Sequence, residues 1–275
     1  HPKQAIIDGE IWPPVFEIEA VSDVFVCTYP KCGTTWIQHI CSQLLFCSEY
    51  GPQQGKVTEL CITSPMIERV GAEYCNKLNH PRLLKTHFSY NNCPKTVSTT
   101  KYIFACRNPK DCLVSYYHHN KNFKIYNWEN GNFDQFFKLF IEGKLAFGDY
   151  FEHLKSWLPQ INNKNNFLFL KYEDMLKNLK ETIISIATFL NGNAAKLIKN
   201  DQVLEKIIKE SQLESMQKNQ TRWFPENVLH NESFIRKGCA RDWKNYLSKE
   251  QNSISSECYS TTIFLIIPTF VVTFR

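Results

Sequence analysis

"DVFVCTYPKCGTTW", Asp23 to Trp36, is the stretch whose reading decides the fold. Residues 23–28 are rich in β-formers. The run that follows, "TTWIQHICSQLLF" (34–46), repeats Ile37, Ile40, Cys41, Leu44 and Leu45 at i, i+3, i+4, i+7 and i+8, one face of a helix. A strand that feeds a helix within a few residues must turn sharply, and Gly33 permits the backbone conformations such a turn needs. The first amides of the new helix, near Thr34 and Thr35, are donors without intrahelical partners at the positive end of its dipole, where an oxyanion is readily held. In a Walker A loop the lysine follows the last glycine and a Ser or Thr follows the lysine. Here Lys31 precedes Gly33 and two threonines come after it. Which anion would be held this way is left open by the stretch itself, and a plain strand–helix turn with an incidental lysine is the alternative.

The same succession recurs downstream. "RLLKTH" (82–87) reads as a strand end; "KYIFAC" (101–106) runs into "RNPKDCLVSYYHH" (107–119). In the latter Asn108 can cap a helix, with Pro109 at its first position and Asp111 at its third. "NNFLFLKYEDM" (165–175) is a further strand, followed by the helical "LKNLKETIISIATFL" (176–190). Strand, turn and helix in repetition predict an α/β fold, a central parallel sheet flanked by helices. With no internal repeat and no low-complexity linker, 1–275 reads as a single domain. Ligands in such folds bind where strands end. The segments 29–36, 85–87, 107–115 and 171–174 all fall on that edge.

The bulk numbers are those of a globular protein: 43% hydrophobic, 21% charged and a net charge of +5 spread along the chain. Such a spread is a solvated basic surface rather than a nucleic-acid footprint. The 11 cysteines are odd in number, irregularly spaced and without a CxxC, so they read as reduced, buried thiols and not as a disulfide framework or zinc site. "HPKQAIIDGEIWPP" (1–14) lacks the apolar core of a secretory leader, which leaves the N-x-S/T sequons at Asn219 and Asn231 with little weight. The apolar "IFLIIPTFVV" (263–272) is far short of the ~20 residues that span a bilayer and reads as a buried strand. The expectation is a soluble, cytoplasmic protein with no membrane association.

Three further segments carry chemistry. Arg107 ends a strand and Ser115 lies eight residues on, so a planar cationic fork and a hydroxyl can converge on one compact dianion. In "LLKTHF" (83–88) a neutral His87 near the ligand edge can take a proton from a hydroxyl near pH 7, although a lone histidine is more often structural. In "FIRKGCARDWKNYLS" (234–248) the cations around Gly238 can close over a phosphate, or be a basic loop and nothing more.

Taken in order, "TYPKCGTTW", "KTH", "RNPKDCLVSYYH", "KYEDM" and "FIRKGCARDWKN" resemble the cytosolic sulfotransferase family, over roughly residues 10–250. "GNFDQFFKLFIEGKLAFGDYFEHLKSW" (131–157) resembles its mid-chain helices. The resemblance implies a P-loop-NTPase-like fold with a phosphosulfate-binding loop, 3′-phosphoadenylyl sulfate (PAPS) as donor, adenosine 3′,5′-bisphosphate (PAP) as product, a small, aromatic or alcoholic hydroxyl acceptor, and no metal. It implies that Lys31, Cys32, Gly33, Thr34 and Thr35 cradle the 5′-phosphosulfate, with Trp36 beside the adenine. Lys31 would meet the bridging oxygen, where charge grows as the S–O bond breaks. It assigns Arg107 and Ser115, with Phe234, Ile235, Arg236, Lys237 and Gly238, to the 3′-phosphate, and Tyr172 with Ser211, Leu213 and Met216 to the adenine. It makes His87 the general base and Lys85 its neighbour at the transferring group. Thr86, Phe88 and His119 would stand on the acceptor side, with aromatic walls from Tyr90, Phe123, Tyr126 and Trp128 and segments 64–70, 88–93 and 119–132.

Departures from the family pattern accompany the match. Cys32 stands where serine is usual, Leu213 where an aromatic stacks on adenine, and Arg241 where glycine is favoured. If that glycine has positive φ, Arg241 costs roughly 1 kcal/mol in strain; otherwise it adds a cation near the 3′-phosphate. The family's homodimer element is not recognisable in "SKEQNS" (248–253), and the tail 251–275 is atypical. Two other readings stand beside the sulfotransferase: a phosphoryl-transferring kinase, disfavoured by the absent Walker A spacing, and a catalytically silent nucleotide-binding homologue.

Overall fold

The structure is a computed structural model that describes residues 5–7, 10–12, 23–46, 60–94, 99–163, 165–218, 220–224, 226–230 and 233–266. Two short antiparallel strands, β1 (Ala5–Ile7) and β2 (Glu10–Trp12), pair with each other. The central sheet holds β3 (Val24–Thr28), β4 (Leu83–Thr86), β5 (Lys101–Cys106) and β6 (Phe167–Lys171), in the order β4-β3-β5-β6. Every neighbouring pair in it is parallel. Each of the four strands lies within a run read as a strand from sequence.

Side chains alternate across the sheet, and both faces are covered, as expected for parallel strands. Phe25, Cys27, Leu84, Phe104 and Phe167 face one core. That core is completed by α4 (Pro109–Asn122), α5 (Phe133–Ile141) and α6 (Tyr150–Trp157), where Phe104 stacks on Trp157 with ring centroids 5.3 Å apart. Val24, Val26, Leu83, Ile103 and Ala105 face the other. They pack on α1 (Thr34–Phe46), α8 (Leu179–Leu190) and α10 (Asp201–Glu210). The predicted apolar face of α1 is the buried one: Ile37, Ile40, Cys41 and Leu44 are core residues and Leu45 packs at their edge. The remaining helices are α2 (Leu60–Thr63), α3 (Ile67–Asn76), α7 (Tyr172–Lys177), α9 (Gly192–Leu197), α11 (Leu213–Lys218) and α12 (Lys249–Ile266). None is long and apolar enough to cross a membrane among the described residues.

Capping follows the sequence. Asn108 accepts a hydrogen bond from the Lys110 amide and Pro109 opens α4. At the far end, Ser248 Oγ accepts from the Gln251 amide while Gln251 Oε1 accepts from the Ser248 amide, a reciprocal capping box. That box launches α12, so Ile263–Ile266 continue a helix instead of forming the expected strand; the rest of 263–272 lies outside the described residues, as do Asn219 and Asn231. The ten described cysteines are all free, and seven are buried.

The entry to β3 is fixed by a buried ion pair. Arg82 donates from Nε to Asp23 Oδ1 at 2.8 Å and from Nη2 to Oδ2 at 2.6 Å, and its Nη1 donates to the Cys75 carbonyl and Asn76 Oδ1, each at 3.0 Å. Both residues are at most 2% exposed. Removing one partner of such a pair strands the other charge in the interior. Asp23→Ala is therefore expected to destabilise the fold by about 3–5 kcal/mol, read as a lowered midpoint in chemical denaturation.

Candidate active site

β3 is paired on both sides and must leave the sheet over its C-terminal edge. Tyr29 to Gly33 make that turn with two left-handed residues, Lys31 at φ 71° and Gly33 at φ 93°. A side chain at Gly33 would also press on Tyr172, its Cβ 3.0 Å from Cδ2 of the ring. Lys31 has no such freedom, and its left-handed backbone is held by Arg107, whose Nη1 donates to the Lys31 carbonyl at 3.1 Å. α1 begins at Thr34, whose hydroxyl meets that of Thr28 at 2.6 Å. The opening amides of α1, with Lys31, Thr34, Thr35 and Trp36, face a cavity of about 800 Å³. Cys32 does not: its amide bonds the Tyr29 carbonyl at 3.3 Å, and its buried thiol lies 3.8 Å from Cys112 Sγ. The tight turn aims the Cys32 side chain into the core, away from the lining of the cavity.

At one end of the cavity Arg107 is fixed on three sides. Nη1 and Nη2 donate to the carbonyls of Lys31 and Cys239, and the guanidinium lies 4.2 Å from the Tyr172 ring centroid. Its Nε is buried and has no partner, a cationic donor left over. Ser115, on α4, lines the same wall, as do Phe234 to Gly238. Asp242 holds that segment in shape, accepting from Arg236 Nη2 at 2.6 Å and Lys237 Nζ at 2.8 Å. Burial works to raise the Asp242 carboxyl, but the hydrogen bonds from Lys237, Asn245 and Arg236 bring it well below its usual range. Gly238, at φ 58°, takes the close approach of Leu213, since a Cβ there would lie 2.5 Å from Leu213 Cδ1. Leu213, Met216 and Ser211 form the opposite side, where Trp36 Nε1 donates to the Ser211 carbonyl at 2.8 Å and the Trp36 ring meets Tyr172 edge-on.

At the other end stand Lys85, His87 and His119. His87 Nδ1 lies 2.7 Å from the Thr28 carbonyl, so Nδ1–H donates and Nε2 keeps its lone pair. Burial, and then the charge of Lys85, hold His87 well below its ordinary pKa, so the ring is neutral. His119 is lowered in the same way, by burial and by Lys31, Lys85 and His87. Lys31 Nζ sits 4.4 Å from the Phe234 centroid and Lys85 Nζ 5.4 Å from that of Phe224. Burial, with Arg107 and Lys85 nearby, pushes Lys31 down to about 7; burial brings Lys85 to about 8.

The residues read as acceptor-side are divided between the cavity and the core. Met66, Glu68 and Arg69 line the cavity from segment 64–70, and Phe123 and Tyr126 from 119–132. Segment 88–93 does not: Phe88 is 1% exposed inside the core, while Tyr90 and Trp128 pack against it. Strand alternation explains Phe88, because the chain leaving β4 points His87 toward the cavity and its neighbour away. Thr86 is also buried, its hydroxyl spent on Glu68 at 2.8 Å. Glu68, Phe147 and Phe224 went unnoticed in the sequence, although Glu68 falls in a segment named there as a pocket wall.

Arg241 is left-handed, at φ 68°, is exposed, and lies outside the cavity lining. The loop around it is tied to α4 by Asp111, which accepts from the Arg241 amide at 2.7 Å and the Trp243 amide at 3.1 Å. Arg241→Gly is expected to stabilise the protein by about 1 kcal/mol, seen as a raised denaturation midpoint.

Comparison with known proteins sets this geometry beside others. Residues 21–263 match the family described as the sulfotransferase domain. Sulfotransferase 1C2 of Rattus norvegicus is 33% identical over 255 residues, 86% of this chain and 81% of that protein. Sulfotransferase 1B1 of Canis lupus familiaris is 36% identical over 246 residues, 84% of this chain and 79% of that protein. The crystal structure of mouse sulfotransferase SULT7A1 complexed with PAP superposes with a TM-score of 0.68 at 26% identity, covering 90% of this chain and 86% of that one. Retinol dehydratase, solved with androsterone and the inactive cofactor PAP, shares the fold at a TM-score of 0.76 and 22% identity, over 88% and 80% of the two chains.

Proposed function

The chain belongs to the sulfotransferase family, a PAPS-dependent enzyme transferring the sulfuryl group to small acceptors, and on that premise we propose that His87 is its general base and that the acceptor is a hydroxyl on a small aromatic or alcoholic molecule. The observation that carries the reading is the His87 tautomer: with Nδ1–H committed to the Thr28 carbonyl, Nε2 is a neutral proton acceptor in the cavity, in the company of Lys31 and Lys85. PAPS, when bound, supplies the activated sulfuryl group.

The residues present fit that donor. The spare Nε of Arg107, Ser115 and the Arg236–Lys237 pair would hold its 3′-phosphate. The amides opening α1, with Lys31, Thr34 and Thr35, would hold the 5′ end, and Trp36, Tyr172, Leu213 and Met216 the base. Leu213 offers contact without stacking. The ammonium of Lys31, in the lining of the cavity, would meet the negative charge that develops on the leaving oxygen. His87 Nε2 takes the acceptor's proton, and Phe147, against whose ring its imidazole packs at 5.1 Å, helps keep the imidazole in place. Phe224, Tyr126 and Phe123 supply a ring-lined wall for a flat acceptor. No specific observation favours a silent homologue, since Arg241 stands outside the cavity and leaves its tether to Asp111 intact. A cytoplasmic setting is part of the same proposal.

His87→Ala is expected to abolish transfer from PAPS while PAP binding stays nearly intact; retained turnover would remove His87 as base. In calorimetric titration with EDTA present, PAP should bind and ADP much less, and Arg107→Ala should weaken PAP by several kcal/mol at most, at ~1.5–3 kcal/mol per charged hydrogen bond. An unchanged affinity would displace the 3′-phosphate from Arg107.

Anion binding must also move protons. Lys31 at about 7 and Lys85 at about 8 are partly deprotonated at pH 8 in the free protein, and a bound anion raises both. Affinity is then full below pH 7 and falls as the pH climbs through these values. Binding heats at pH 8 in buffers of different ionisation enthalpy should report net proton uptake; release, or no exchange, would contradict the placement of the two lysines.

A further inference from the structure

We propose that Glu68 is the positioning residue of the transfer centre: its carboxylate fixes the chain at Thr86–His87 and is the countercharge in the cation-lined cavity that Lys85 shares. The inference rests on the sulfuryl-transfer reading for the reaction it serves, and on the bonds of Glu68 to Thr86 and His87 and its place in the cavity lining for the positioning.

Glu68 occupies the first turn of α3, and the segment before it runs along β4. The Lys85 amide donates to the Pro65 carbonyl at 2.9 Å, and Met66 and Lys85 form a parallel bridge. The carboxylate is thereby delivered to the end of the strand that carries Lys85 and His87. Oε1 accepts from Thr86 Oγ1 at 2.8 Å and from the His87 amide. Thr86 Oγ1 accepts in turn from the Phe88 amide at 3.0 Å. One oxygen of one side chain therefore determines where the backbone leaves β4, and with it the aim of the His87 ring.

Oε2 is buried and has no partner, in a residue only 9% exposed. An unengaged carboxylate oxygen in the interior is costly, and a fold that keeps one calls for a reason. The reason lies in the surrounding charge. Glu68 is the only carboxylate among the described residues lining the cavity, against Lys31, Arg69, Lys85, Arg107, Arg236 and Lys237 as well as Lys124. The charged and titratable groups about Glu68 and Lys85 are Arg69 and Cys75 on α3, His87 at the end of β4, Cys61 on α2, Cys27 on β3, Lys31 in the turn after β3 and His119 on α4. Of these Arg69 and Lys31 are the other cations, and Arg69 lowers Lys85 where Glu68 raises it. Burial pushes Glu68 itself up to about 7, against the pull of its hydrogen bonds and of Lys85. Between about pH 7 and 8 the free protein thus holds a carboxylate and an ammonium in the same cavity lining. Below that window the carboxylate is protonated, and above it the ammonium is lost.

The test separates charge from position. Glu68→Gln keeps an oxygen to accept from Thr86 and His87 and removes the charge; Glu68→Asp keeps the charge and withdraws it from both donors. Lys85 is followed by its acetylation with acetic anhydride as a function of pH, read by mass spectrometry, a measurement that needs no turnover. Glu68→Gln should lower the Lys85 midpoint by about one pH unit, the smaller end of the effect of a neighbouring opposite charge. It should also lower kcat at pH 7.5 about tenfold, with a clearly smaller loss of PAP affinity. Glu68→Asp should leave the midpoint in place and reduce kcat. An unmoved midpoint in Glu68→Gln overturns the proposal. So does a loss of PAP binding in step with kcat, or identical behaviour of the two variants, either of which would make Glu68 a structural residue only. A wild-type protein without turnover whose Lys85 midpoint still shifts in Glu68→Gln would sink the transfer reading and leave the Glu68–Lys85 pairing supported.

Discussion

Four strands running in parallel bring Thr28, Thr86, Cys106 and Lys171 to one edge of the sheet, and β3, paired on both sides, has no exit except over that edge into α1. Much else follows from this constraint. Apolar residues must fill both faces of the strands, which is why β3 reads as an unbroken hydrophobic run. The exit must be tight, which puts Lys31 and Gly33 into left-handed conformations and leaves the first amides of α1 without partners. The ends of the neighbouring strands then deliver Lys85, His87 and Arg107 to the same place. The site is thus the edge of the sheet, lined with the residues that follow each strand.

That edge is crowded with like charge, and the protein restrains its cations without neutralising most of them. Arg107 is held by two carbonyls and a ring, while Lys31 and Lys85 lie over the rings of Phe234 and Phe224. Carbonyl dipoles and ring faces attract a cation without carrying a full countercharge. The positive potential therefore stays available to an anion. Carboxylates enter sparingly: Asp242 braces Arg236 and Lys237, and Glu68 lines the cavity that Lys85 shares.

What was legible in the sequence is what is local. The strand–helix pairs announced themselves because periodicity, the Asn108 cap and the Pro109 start all act within a few residues. Arg107 and Ser115 were legible because eight residues, spanning a strand end and the second turn of a helix, fix their relation before any tertiary contact is considered. Glu68 was not, since its place depends on Met66 pairing with Lys85, nineteen positions further on. Cys32 and Phe88 were assigned to the site from their neighbours, yet the direction of a side chain at a strand exit is set by the turn, and both point into the core. The helix α12 was missed because the apolar composition of 263–272 outweighed the capping box at Ser248 and Gln251 that starts the helix fifteen residues earlier.

Asp111 grips the loop 238–243 through two main-chain amides, those of residues 241 and 243, and asks nothing of their side chains. An anchor of that kind is blind to residue identity. Substitution at 241 can alter conformational ease, as Arg241 does in a position that suits glycine, while the bond that secures the loop persists in every residue except proline. Positions 241 and 243 can therefore drift in sequence without the loop over one end of the cavity coming loose, and mutational tolerance there is a property of the helix that holds them.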